Sequence, residues 1–114
     1  MKYFYVVLII AALVSIRCAE DLEAPTVSIV SPQHGATVSG IVDVTAAAQD
    51  NEAVEKVEFY FNDTLTAVVL IEPYIYQWNT AQEEDSSFHT IHARAYDASD
   101  NEGVSGSVTV LVDY

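Results

Sequence analysis

Two distant segments of this chain read almost alike, Asp50-Asn51-Glu52-Ala53-Val54 and Asp100-Asn101-Glu102-Gly103-Val104. Together with Asp97 they supply five carboxylates, Asp50, Glu52, Asp97, Asp100 and Glu102, and neither segment contains a lysine or arginine. Carboxylates drawn together repel one another unless water, protons or a cation intervene. Calcium suits such a set, because it takes six to eight oxygens from carboxylates, amides and carbonyls. The same residues have a plainer use, since Asp and Asn side chains bond to nearby backbone and tolerate left-handed geometry in turns. The five are therefore candidate calcium ligands set against a turn-shaping reading.

A second candidate is aromatic. Tyr60, His92 and Tyr96 sit on period-two segments in which they face away from the apolar positions. A row of exposed rings can stack on sugar faces and bind a polysaccharide. The alternative is cross-strand pairing on a half-exposed face, with neighbours such as Glu58 and Arg94, worth about 0.2–1 kcal/mol per pair. Catalysis finds little support. His34 lies in a turn, and His89 and His92 stand three apart on a strand, so they point to opposite faces and share neither metal nor nucleophile. The loop carboxylates resemble an acid and base pair only in composition, and a domain this small seldom offers the deep cleft such chemistry uses. The expectation is that the chain is not an enzyme. The sequon Asn62-Asp63-Thr64 reads as a hairpin turn.

These side chains must be positioned by strands, because the periodicity beyond Pro25 is two and not 3.6. Thr26 to Ser31 alternates and ends in the turn cluster Ser31-Pro32-Gln33-His34-Gly35. Ala36 to Val38 leads through Gly40 into Ile41 to Ala48, where Val42, Val44, Ala46 and Ala48 share a face. Val54 to Phe61 sets Val57, Phe59 and Phe61 against Lys56, Glu58 and Tyr60. Further strands are expected over Leu65 to Ile71, Tyr74 to Asn79, Phe88 to Tyr96 and Val104 to Val112, with polar loops at 80–87 and 97–103. Tyr74, Tyr76 and Trp78 fall on one face, and Trp78 is expected in or near the core. About seven short strands without helical periodicity predict an all-β antiparallel two-sheet sandwich.

Four stretches, PTVSIVSPQHGATVSG, VEKVEFYFND, PYIYQWNT and HTIHARAYDASDNEG, resemble bacterial immunoglobulin-like domains of secreted and surface proteins. The likeness runs from Pro25 to about Val112 and implies an immunoglobulin-like sandwich, first strand near Thr26 and last near Val108. It also implies a module without shared catalytic residues. In that topology the loops carrying the five carboxylates lie at one end, where Glu20, Asp21 and Glu23 also approach. Tyr60 then neighbours His92 and Tyr96 in one sheet. His89 opens the sixth strand where related sandwiches place a tyrosine that bonds back to the preceding connection, and a structural role of that kind is expected.

The N-terminus has a separate purpose. Tyr3 to Ile16 carries no charge and lies between Lys2 and Arg17, as in the basic and apolar regions of an export signal. Fourteen residues fall short of the roughly 20 that span a bilayer, with an uncleaved anchor helix as the alternative. The domain reading is a signal at 1–18, an acidic linker at 19–25 and the sandwich at 26–114. Cys18, the single cysteine, stands where a lipoprotein signal places its acylated residue, although Arg17 occupies a position such signals give to Gly, Ala or Ser. No disulfide can form within one chain. Without the signal, Lys56 and Arg94 face 17 acidic residues. That balance argues against nucleic acid and anionic lipid as partners and favours solubility as a monomer. The membrane is reached only through the N-terminal segment or a lipid on Cys18. The sequence thus predicts an exported, non-catalytic module that binds or spaces at the cell envelope, with a surface or extracellular protein or polysaccharide as partner. The rival roles are a calcium-dependent adhesion module and a carbohydrate-binding accessory domain.

Overall fold

The computed structural model describes residues 22–114, so the expected signal, Cys18, Glu20 and Asp21 lie outside the described residues. The described chain is an antiparallel immunoglobulin-like sandwich of nine strands in two sheets. They are β1 (Thr26–Ser31), β2 (Thr37–Val38), β3 (Ile41–Gln49), β4 (Val54–Phe61), β5 (Thr64–Val69), β6 (Tyr74–Asn79), β7 (Ser87–Asp97), β8 (Glu102–Val104) and β9 (Val108–Val112). One sheet has the order β1-β3-β6. The other has β2-β9-β7-β4-β5, with β8 on β7 beyond β9.

Alternation decides which side chains fill the space between the sheets. Val44, Ala46 and Ala48 of β3 meet Val57, Phe59 and Phe61 of β4, Ile91, Ala93 and Ala95 of β7, and Val110 and Val112 of β9, all buried. Small side chains on β3 and β7 leave room for large rings, and the rings interlock. Phe61 lies edge-on to Trp78 with centroids 5.0 Å apart and edge-on to Tyr76 at 5.7 Å. Such pairs contribute about 0.5–1.5 kcal/mol beyond the area they bury. Trp78 is in the core, as its position in the pattern implied.

Several boundaries differ from the sequence reading, with β3 reaching Gln49, β5 beginning at Thr64 and β7 spanning Ser87–Asp97. The expected final strand, Val104 to Val112, is two strands, with Ser105 between them: its amide donates to the Ala93 carbonyl at 2.9 Å, while its Oγ accepts from the Ala93 amide at 2.8 Å and donates to the Gly106 carbonyl. The expected loop at 97–103 correspondingly gives up Glu102 and Gly103 to β8. The strand over Leu65 to Ile71 stops at Val69. The short β2 pairs in parallel with β9, so the chain passes from one sheet to the other between β1 and β2.

The turn joining β4 to β5 has positive φ at both Asn62 and Asp63, the geometry of a tight hairpin whose twist matches its strands. Asn62 is committed to this corner. Its amide oxygen accepts from the Thr90 backbone at 3.0 Å, and its amide nitrogen lies 3.0 Å from His89 Nδ1.

At the opposite end the start of β1 rests on β8. A methyl group on Gly103 would sit 1.9 Å from the carbonyl oxygen of Pro25 and 2.9 Å from its carbon, whereas one on Gly106 would meet nothing within 4 Å. Gly103→Ala is therefore expected to destabilise the domain by about 1–3 kcal/mol, the usual cost of overpacking. Gly106→Ala should leave stability within about 0.5 kcal/mol of the parent. Thermal denaturation of the two variants checks this, and equal midpoints would remove the proposed contact between Pro25 and Gly103.

Candidate functional site

The two loops rich in carboxylates do lie at one end, the β3–β4 loop beside the β7–β8 loop, with the start of β1 against them. Their carboxylates do not gather. Among the described residues no group of three or more His, Cys, Asp or Glu side chains is arranged to hold a metal ion. Asp97 is buried and serves its own loop: Oδ1 accepts from the backbone amides of Ser99 and Asn101, both at 2.9 Å, and Oδ2 accepts from the Asn101 side chain at 2.9 Å. Asp100 takes a left-handed backbone, φ 63°. Glu102 turns to Arg94, 3.1 Å from its Nη1. Asp50 accepts a long bond from the Glu52 amide at 3.4 Å, and Glu52 is exposed. The geometry in this loop is that of an Asp-ordered turn, the use such residues commonly have.

The outer face of the larger sheet carries the aromatic candidates, and β4 and β7 pair Tyr60 with His92 and Lys56 with Tyr96. The sequence expectation of a row of exposed rings needs correction at His92, which is only 8% exposed. Its ring stacks on Tyr60 with centroids 4.8 Å apart and planes 10° from parallel. The Arg94 guanidinium lies over the same tyrosine, 4.8 Å from the ring centroid. Lys56 lies over Tyr96 at 4.9 Å and reaches Glu58 at 3.9 Å. Glu58, itself buried, accepts the Tyr60 hydroxyl at 2.9 Å. Rings and charges thus pair with one another across the strands, and a sugar would have to displace cationic or aromatic partners to stack on Tyr60. Burial, then the bond to Glu58, raises the Tyr60 hydroxyl above its ordinary pKa. Burial with the Glu58 and Glu102 carboxylates pushes Tyr96 up to about 12. Both phenols stay protonated near neutral pH and act as donors.

His89 has the structural role expected of it, with different partners. Its Nδ1 meets Asn62, its Nε2 lies 2.8 Å from Ser87 Oγ, and the Ser87 hydroxyl donates to the Glu84 carbonyl. One tautomer satisfies all three contacts: Nδ1 accepts and Nε2 carries the proton. The ring also stands edge-on to Trp78 at 5.3 Å. His34 accepts from the Thr109 amide at 3.0 Å and so is a tether in its turn. The sequence reading missed the groove beside the end of β3, lined by Ala46 to Gln49 and Glu72 to Tyr74. Its one sequence signal is Pro73, which stops β6 short.

Comparison with known proteins adds three findings. The family model for a bacterial Ig domain matches residues 25–93. The fibronectin(III)-like modules of Clostridium thermocellum CbhA share 26% identity with this chain at a TM-score of 0.69, over 77% of this chain and 96% of theirs. The endo-beta-1,4-mannanase from Thermotoga petrophila superposes with a TM-score of 0.62 at 20% identity, over 82% of this chain and 21% of that enzyme, which is a likeness of fold alone. No curated protein sequence matches.

The stacked His92 generates a pH prediction. Burial, then the neighbouring Arg94, lowers its pKa below the ordinary 6.5, with Asp63 opposing at 4.0 Å. A histidine depressed in the folded state takes its proton more readily when unfolded, so its contribution is fully present above about 6.5 and is lost as pH falls from there through the lower folded value. The melting midpoint of the parent should therefore drop more between pH 7.5 and pH 5.5 than that of His92→Gln. Parallel curves would show that His92 is not the responsible group.

Proposed function

The chain belongs to the bacterial Ig domain family, and from that premise we propose that it is a non-catalytic accessory module, exported to the cell envelope, where it spaces or docks other components. The observation that carries this reading is the commitment of its reactive side chains. Asp97 orders a loop, His89 ties the β4–β5 hairpin turn to β7, and Tyr60, His92, Arg94 and Glu58 pair among themselves. Such pairings stiffen a sandwich, and the Ser87 hydroxyl beside His89 gives its proton to the Glu84 carbonyl. The likeness to the fibronectin(III)-like modules of CbhA, which this chain covers almost from end to end, fits a self-contained module.

Retention on insoluble cellulose and mannan, together with melting in millimolar calcium and in chelator, tests the reading. The expected outcome is passage through both polysaccharides and one midpoint under both conditions. Retention abolished by Tyr60→Ala would replace it with a carbohydrate-binding role. A midpoint that falls with chelator would replace it with calcium-dependent adhesion through Asp50, Glu52, Asp97, Asp100 and Glu102.

Delivery rests on the N-terminus. No helix among the described residues is long and apolar enough to cross a membrane. The uncharged stretch before Cys18 would route the chain outward, and acylation of that thiol would hold it at the membrane, most firmly if two chains are attached. Expressed in a bacterium fed radiolabelled palmitate, the full chain should take up label and sediment with membranes, and Cys18→Ser should do neither. Label retained by Cys18→Ser would exclude this anchor.

A further inference from the structure

Strand β3 runs past the end of one of its partners. β6 pairs with it from Asn79 opposite Ile41 to Tyr74 opposite Ala46, while β1 accompanies it on the other side to Gln49. Ala47, Ala48 and Gln49 consequently have a neighbouring strand on one side only. The cause lies in the sequence: Pro73 has no backbone N–H and cannot prolong the β6 ladder. A strand edge of this kind presents unpaired backbone donors and acceptors.

Beside this edge is an open groove of about 550 Å³, walled by Ala46 to Gln49 and by Glu72 to Tyr74. It continues into a hollow of about 440 Å³ that shares Ala48, Gln49, Glu72 and Tyr74 and extends to Asp50 and Glu52. Alanine side chains leave the backbone of the edge uncovered. The charged side chains of the groove are Glu72, Asp50 and Glu52, and Asp50 Oδ1 is buried with no hydrogen-bond partner. Lys56 and Arg94, the two cations among the described residues, are engaged with Glu58 and Glu102 on the outer face of the other sheet.

We propose that this edge docks an extended, lysine- or arginine-bearing polypeptide segment, which adds as a strand beside Ala47 to Gln49 and sets its cations against Glu72, Asp50 and Glu52. Strand addition draws its affinity from backbone hydrogen bonds and its selectivity from alternate side chains. A cation at every second position would place all the positive charge on the groove side. A second copy of this chain is a poor occupant, because its described residues offer only Lys56 and Arg94 and both are already paired. The proposal stands on the fold and this edge, and it holds or fails independently of the accessory-module reading.

The test is a titration of the ¹⁵N-labelled protein with a synthetic peptide alternating lysine and valine, beside its glutamate and valine counterpart. The lysine peptide should shift the amide signals of Ala47 to Asp50, Glu72 and Tyr74, slow hydrogen exchange along Ala47 to Gln49, and bind less well at high salt. The double variant Asp50→Asn, Glu72→Gln should weaken it several-fold with its own spectrum intact. Glu84→Gln, at the other end of the sandwich, should leave it unchanged. Absence of binding, equal binding of the glutamate peptide, shifts confined to other surfaces, or indifference to the double variant would each overturn the proposal.

Discussion

The pairing of β4 with β7 is the constraint on which the rest of the molecule depends. These central strands of the larger sheet must satisfy both of their faces at once. Inward, Val57, Phe59 and Phe61 lie beside Ala95, Ala93 and Ile91 and form the floor of the core. Outward, Glu58 and Tyr60 lie beside Arg94 and His92, and charge and ring pairing does there what apolar packing does within. A slip of one residue would exchange the two sets and bury charge in the core. With no disulfide possible in a chain that has one cysteine, this register takes the place of a covalent tie.

That two-sided demand explains why several residues suggestive of chemistry are engaged with their neighbours. A carboxylate or imidazole on a surface sheet has a choice between water and its neighbours, and here the neighbours are close and complementary. Surface ion pairs taken singly contribute little. Arranged as a ladder with stacked rings, they cover the outer face and hold the central strands in line. The acidic excess then falls to the loops and edges.

Much of this was legible in the residue pattern. Val54 to Phe61 and Tyr74 to Asn79 alternate cleanly between turn-forming breakers, so their limits could be read directly. Trp78 and His89 were placed by the face they occupy. What escaped the pattern depends on partners distant in sequence. Ser105 stands between two strands with its side chain bonded to Ala93, and period-two reading has no sign for that. His92 alternates with the core like any outward residue, and the ring of Tyr60 on the adjacent strand stacks on it. The carboxylates of the two similar loops were brought to one end as the topology implied. Whether they converge depended on the local path of each loop, and Asp97 had already been claimed by Asn101. Pro73 was visible as a breaker, but its effect appears on β3, the strand opposite.

The passage of the chain from one sheet to the other between β1 and β2 also has a mechanical meaning. The domain is entered at the end where Pro25 meets Gly103 and left at the opposite end, where Val112 lies beside Ser87. Tension applied between those ends runs along the strand direction. The bonds from Gly35 to Thr109, Leu111 to Ala36 and Asp113 to Val38 then bear the load together in shear, instead of parting one after another like the teeth of a zip.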